Sequence, residues 1–169
     1  MAEVKVRHEM SCDPETYWNK CVFDDEYNRR LYLEVLKFPN WKVVDQKDDG
    51  KTLTRRVQVD PPAGNIPAAV KKVIGDSLSY TEEGAFDRAS GRYTFKATPS
   101  AMGDKAKITG EMTCEKLGDK KMARIAKIKV EVKVFMVGSL IEDRILADLK
   151  ASYARAAEFT NTYVKEKGY

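Results

Sequence analysis

The last third of this chain constrains its fold most. An alternating, basic strand ending Val130-Glu131-Val132-Lys133-Val134-Phe135 runs through Met136, Val137 and Gly138 into a stretch without proline or glycine from Ser139 to about Glu166. Within it Ile141, Ile145, Leu149, Tyr153, Ala156, Thr160 and Tyr163 recur at helical spacing, which predicts one uninterrupted amphipathic helix. At 1.5 Å rise per residue that helix is roughly 40 Å long, so it needs an apolar surface of similar length to lie on. The rest of the chain reads as a curved sheet able to supply that surface. A long helix closing a strongly bent antiparallel sheet encloses a cavity, and a cavity implies a ligand.

Along the chain the pattern gives one strand, two helices, six strands and the long helix. Val4, Val6, His8 and Met10 alternate with Lys5, Arg7 and Glu9, the signature of a half-buried strand. Asp13-Pro14-Glu15 is a helix start, with a cap residue, a proline at the first helical position and an acid in the first turn; this helix carries Tyr17, Trp18 and Val22. A second helix starts near Asp24 or Asp25, presents Leu31, Val35 and Phe38, and stops at Pro39. From Trp41 the period changes to two: strands are expected at 41–46, 51–59, 77–83, 91–98, 105–116 and 121–134, with a hairpin at Lys47-Asp48-Asp49-Gly50 and turns near Gly84, Gly103 and Gly118. The stretch from Asp60 to Gly75, rich in proline and glycine, carries Ile66, Val70, Val73 and Ile74 at helical spacing and reads as a short amphipathic cap over one end of the sheet. Ser139-Leu140-Ile141-Glu142 has the spacing of a capping box.

A chain of 169 residues suits one domain with a sizeable core, so residues 1–169 are taken as a single unit. Residues 1–100 balance basic against acidic side chains, and the whole net charge of +4 falls in the final strands and helix. The N-terminus has no apolar signal segment, and the run from Val134 to Ile141 is far short of a membrane span. Three cysteines, Cys12, Cys21 and Cys114, lack metal-type spacing and fit a reducing interior. A soluble, cytoplasmic monomer is expected.

The order β-αα-β6-α resembles the START-like superfamily, also called SRPBCC or helix-grip proteins, over nearly the whole chain. Its most specific segments are Asp60-Pro61-Pro62 through Ile66-Pro67, Val70 to Gly75, Ser79-Tyr80-Thr81-Glu82, and Lys133 through Glu142. Together these look like an uncharacterised bacterial START-like family. The last is similar to the strand-to-helix joint of PRELI lipid-transfer domains, with Phe135 where that joint tends to carry proline. The resemblance implies an α+β helix-grip fold, a curved seven-stranded antiparallel sheet wrapped around the C-terminal helix, with an apolar tunnel for lipids, sterols or similar molecules.

The more apolar side of each strand gives an inward set of Val43, Leu53, Val57, Tyr80, Tyr93, Phe95, Ile108, Met112, Ile128, Val130, Val132 and Val134, facing Ile141, Ile145, Leu149 and Tyr153. Ala147, Ala151, Ala154, Ala156 and Ala157 are short enough either to leave a cavity open or to let helix and sheet close up. His8, Arg55 and Glu82 fall on the inward register, where each needs a partner, water or a ligand head group. Arg55 suits a carboxylate or phosphate, or an internal ion pair with Glu82. His8, the only histidine, reads as a satisfied core residue or a base.

The ligand-binding candidates are therefore Arg55, Val57, Ile66, Val70, Tyr80, Glu82, Tyr93, Phe95, Ile108, Met112, Val130, Val132, Ile145, Leu149 and Tyr153. The expected function is carriage, transfer or sensing of a hydrophobic or amphipathic small molecule, with the 60–75 segment as a lid. The alternatives are a cyclase- or hydrolase-type enzyme in the same cavity and a packed interaction module. Motifs of common hydrolases, metalloenzymes and phosphate-binding loops are missing, so no catalytic residue, metal or cofactor is assigned. Lys127, Lys129 and Lys133, with Lys120 and Lys121, form a row suited either to an anionic membrane surface or to a plain solvated strand face. Acids such as Glu131 interrupt that row, which argues against nucleic acid.

Overall fold

The computed structural model describes residues 1–169. Seven strands form one antiparallel sheet: β1 (Ala2–Met10), β2 (Asn40–Asp48), β3 (Thr52–Asp60), β4 (Tyr80–Asp87), β5 (Arg92–Pro99), β6 (Ala106–Gly118) and β7 (Lys121–Val132), in the spatial order β1-β7-β6-β5-β4-β3-β2. Between β1 and β2 lie α1 (Pro14–Tyr17) and α2 (Asp25–Arg29), each continued by a π-helical turn, at Trp18–Val22 and Arg30–Val35. A short α3 (Ala68–Ile74) follows β3, and α4 (Gly138–Lys167) closes the chain. This is the α+β helix-grip arrangement.

Local chemistry accounts for the helix starts. Asp13 accepts the Thr16 amide at 3.0 Å and Asp24 accepts the Tyr27 amide at 2.9 Å, satisfying amide groups that have no partner within the helix. The second helix ends at Val35, before Pro39, where the chain turns through a positive φ at Lys37.

Three expectations about boundaries are corrected. The turn expected near Gly84 lies instead after Asp87, and Gly84 sits inside β4 opposite Arg55 and Phe95. The strand expected at 77–83 is therefore displaced to Tyr80–Asp87. The glycine is a space, not a bend: a Cβ there would lie 1.8 Å from the Tyr93 hydroxyl. The capping box at Ser139 does not form, because α4 already begins at Gly138 with Val137 as cap, and Glu142 is buried, accepting the Val132 amide at 2.8 Å. Its carboxylate ties helix to sheet instead of capping its own helix.

The core is in two parts. A larger one joins α1, α2 and the C-terminal half of α4 to the sheet around Tyr17, Trp18, Phe86 and Tyr163. A smaller one joins α3 and the start of α4 to Ile108, Ile128, Val130 and Val132. Val6, Phe95 and Tyr153 border both. On α4 the expected stripe is followed, but unevenly: Ile141, Ala156, Thr160 and Tyr163 are buried, whereas Ile145, Leu149 and Tyr153 are only half-buried. Of the five alanines, Ala156 and Ala157 are buried, Ala154 is half-buried, and Ala147 and Ala151 are exposed. The helix therefore packs closely toward its C-terminal end and stands off the sheet in its middle.

Candidate functional site

Where the two cores part, the middle of α4 and the sheet bound a space of about 370 Å³, within the usual range for small-molecule sites. The sheet register places the aromatic wall of this space. Gln46, Arg55, Gly84, Phe95, Gly110 and Ile128 lie on one rung across β2 to β7. The two glycines beside Phe95 let aromatic rings lie flat on the sheet: Tyr93 covers Gly84, and the Phe95 ring covers Gly110, where a Cβ would meet it at 2.3 Å.

Of the sequence candidates, Arg55, Tyr80, Glu82, Tyr93, Phe95, Ile108, Met112, Ile145, Leu149 and Tyr153 line this space together. Val57, Val70, Val130 and Val132 are buried in the packed parts of the core, and half-buried Ile66 lies against the smaller core; these five stand outside the lining. The α1–α2 layer adds Tyr17, Tyr27, Leu31 and Tyr32, and β7 adds Arg124. The sequence reading missed these residues. For Arg124 the signal was present, since it shares parity with Ile128, Val130 and Val132 on β7. The helical residues showed an apolar face but nothing that placed it over this part of the sheet.

Exposed Pro62 and Gly64, after β3, face exposed Asp148, Ala151 and Arg155 of α4 across the mouth. Arg144 spans it, donating to the Asn65 carbonyl at 2.6 Å and to Asp148 at 2.7 Å.

Two buried arginines have different surroundings. Arg55 donates through Nη1 to the Val22 carbonyl at 2.8 Å and through Nε to the Tyr93 hydroxyl at 3.3 Å; that hydroxyl donates to Glu82 Oε1 at 2.8 Å. The direct Arg55–Glu82 pair left open by the sequence is thus replaced by a relay through Tyr93. The guanidinium also stands 5.2, 5.7 and 5.5 Å from the ring centres of Phe23, Trp41 and Tyr93. Burial opposes its charge, but Tyr93 and Glu82 outweigh that and hold its pKa above the ordinary value.

Arg124 donates to the Tyr17 hydroxyl at 3.3 Å, the Tyr153 carbonyl at 2.8 Å and His8 Nδ1 at 3.2 Å. Because arginine only donates, His8 Nδ1 is the acceptor and its proton sits on Nε2. Burial and then the Arg124 charge push the His8 pKa below 6.5. His8 is not part of the lining. Burial raises the Tyr17 and Tyr32 phenols to about 12, so both are neutral donors and acceptors.

On the outer face most of the lysine row is matched by acids: Lys127 by Glu111 at 3.0 Å, Lys121 by Glu9 at 3.3 Å, Lys133 by Glu131 at 3.5 Å and Lys129 by Glu3 at 3.7 Å. Beside it, Phe135 and Met136 are 91% and 85% exposed. No helix is long and apolar enough to cross a membrane.

Solved structures share this architecture. The Zhui aromatase/cyclase from Streptomyces sp. R1128 superposes with a TM-score of 0.71 at 9% identity, covering 99% of this chain and 96% of that one. Norcoclaurine synthase from Thalictrum flavum, in complex with dopamine and hydroxybenzaldehyde, gives 0.65 at 14% identity, covering 98% and 87%. A START superfamily protein from Mycobacterium smegmatis gives 0.57 at 16% identity, covering 92% and 97%. At these identities the likeness is one of fold, and it establishes the START-like architecture. Among curated proteins none matches the sequence. A family model does match, from residue 5 to residue 164, and by that match the chain belongs to the family described as "Protein of unknown function (DUF2505)".

Proposed function

We propose that this protein binds a hydrophobic or amphipathic small molecule, lipid-like in size and character, between its sheet and α4, as a carrier or sensor. The observation that carries this reading is the space of about 370 Å³ at the gap between the two cores, bordered by aromatic and aliphatic side chains and open beside Pro62, Gly64 and Ala151. Leaving apolar walls in contact with water costs on the order of 25 cal/mol per Å², so an apolar occupant offsets that cost. The solved structures of like fold include proteins that take small organic molecules, which agrees with the reading. An enzymatic reading of the cyclase or hydrolase type gains no separate support, since His8 is engaged by Arg124 outside the lining and Glu82 is held by Tyr93.

Ala151→Trp tests the proposal. Ala151 is exposed at the mouth, so the indole obstructs entry at little cost to the core, and the melting temperature is expected within about 2 °C of wild type. Affinity for N-phenyl-1-naphthylamine, followed by its fluorescence, is expected to drop about tenfold or more. Undiminished uptake by the folded variant would place the probe elsewhere and refute the reading.

Loading at an anionic bilayer belongs to the same proposal. With the lysine row largely paired, the membrane-seeking feature is the exposed Phe135–Met136 turn next to Lys133. A Phe135→Ser, Met136→Ser double variant is expected to lose most of its co-sedimentation with phosphatidylserine-containing vesicles. Equal sedimentation of variant and wild type would exclude that turn as the docking element.

A further inference from the structure

Arg124 is 3% exposed and borders the same space. A guanidinium has five N–H donors and a full positive charge. Here three donor contacts go to neutral acceptors, a phenol, a peptide carbonyl and an imidazole nitrogen. Nε is buried without any partner, and Arg124 takes part in none of the molecule's ion pairs. The remaining company is the Tyr153 ring, centred 4.7 Å away. Burial opposes this charge; Tyr17 and Tyr153 still hold the Arg124 pKa above the ordinary value, but they do so as neutral groups, and a buried charge without an anion is costly.

The contrast with Arg55 narrows what is missing. Arg55 reaches Glu82 through the Tyr93 hydroxyl, so one cation and one anion of the lining already offset each other. Arg144 is paired with Asp148 and exposed Arg155 donates to the Val35 carbonyl at the mouth, so Arg124 is the one buried cation of the lining without a linked carboxylate. The matching group is a single negative charge with two coplanar oxygens on an otherwise apolar body. A carboxylate meets that description and accepts from the Nη1 hydrogen left over beside Tyr17, since both Nη2 hydrogens are engaged, whereas a doubly charged phosphate brings more charge than Arg124 matches.

We propose that Arg124 anchors the carboxylate of an acidic amphipathic ligand whose apolar part occupies the space between sheet and α4. This rests on the binding function proposed above and assigns its ligand class. It also moves the head-group role from Arg55, whose contacts are internal, to a residue whose contacts are incomplete. Tyr17 and Tyr153 position the guanidinium, one through its hydroxyl and the other through its ring and carbonyl.

The test compares two probes of equal shape, 2-naphthoate and 2-naphthalenemethanol, titrated at pH 7 by fluorescence. Wild type is expected to bind the acid about tenfold or more tightly than the alcohol, as charge-assisted hydrogen bonds imply. In Arg124→Met that preference is expected to vanish while affinity for the alcohol stays within about threefold. Equal affinity of wild type for both probes, or a preference that survives in the variant, overturns the anchor and leaves the cavity reading intact. Binding of neither probe to wild type overturns the cavity reading itself, and the anchor with it. Thermal unfolding of the unliganded proteins is the second readout. In Arg124→Met the loss of bonds to three neutral acceptors is partly offset by removal of a buried charge without an anion, so the melting temperature is expected to fall by less than about 5 °C. A variant that fails to fold, or melts about 5 °C or more below wild type, shows that Arg124 is already satisfied by the protein and overturns the proposal.

Discussion

Replacing Arg55 by methionine is expected to cost the fold about 3–5 kcal/mol, the loss typical of removing one side of a buried charge network. The side chain is 8% exposed, and its guanidinium joins three parts of the molecule. One hydrogen bond reaches the Val22 carbonyl, at the end of the π-helical turn after α1, and another reaches Tyr93 on β5. Through the Tyr93 hydroxyl the charge is shared with Glu82 on β4. Methionine fills much of the volume but leaves Glu82 a half-buried carboxylate with no cation near it, and it forfeits the stacking on Phe23, Trp41 and Tyr93. Since whole domains are stable by only about 5–15 kcal/mol, a fall in melting temperature of about 8 °C or more is expected. Urea denaturation of Arg55→Met, Glu82→Gln and the double variant separates the charge coupling from lost packing. The double variant is expected to be less destabilised than the sum of the single ones. Strict additivity, or a loss below about 1 kcal/mol for Arg55→Met, contradicts the relay. Set beside the smaller loss expected for Arg124→Met, the result shows that two buried arginines differ in role.

Gly84→Val is expected to cost about 2–4 kcal/mol, combining overpacking with broken hydrogen bonds. The first added carbon falls 1.8 Å from the Tyr93 hydroxyl and 2.2 Å from Cζ of its ring, so the ring has to leave. It has nowhere cheap to go, because Trp18, Phe23 and Phe95 surround it at centroid distances of 6.4, 6.1 and 6.1 Å. Displacing it breaks the bonds to both Arg55 and Glu82. The check is a change of background: in Tyr93→Ala the same glycine substitution is expected to cost less than about 1 kcal/mol, because the obstructing ring is absent. An equal cost in both backgrounds would locate the effect in the backbone of β4.

How much of this was legible in the chain follows from the range over which each feature is decided. Strand alternation and helical spacing are local: the inward parity of Leu53, Arg55, Val57, Tyr93, Phe95, Ile108 and Met112, and the stripe on α4, follow from the periods of two and 3.6. The helix caps Asp13 and Asp24 belong to the same class. Gly84 was legible as a glycine but not as the seat of the Tyr93 ring, because a turn and a missing side chain look alike until the partner strands set Tyr93 and Phe95 beside it. Ser139 and Glu142 have capping-box spacing, yet the last amide of β7 competes for the carboxylate and takes it.

The sequence by itself therefore determined the element order, the seven strands, the long closing helix and the side of each strand that faces it, because burial of apolar surface acts on a pattern each segment carries within itself. Only the tertiary structure decided which inward residues pack solidly and which border open space, as Val57 and Val130 differ from Tyr80 and Ile108. It alone decided that Arg55 is linked to a carboxylate while Arg124 meets only neutral acceptors. A buried charge is balanced by whatever groups the fold brings within hydrogen-bonding distance. For these two side chains those groups come from Val22, Tyr93, Tyr17 and Tyr153, each on a different segment of the chain.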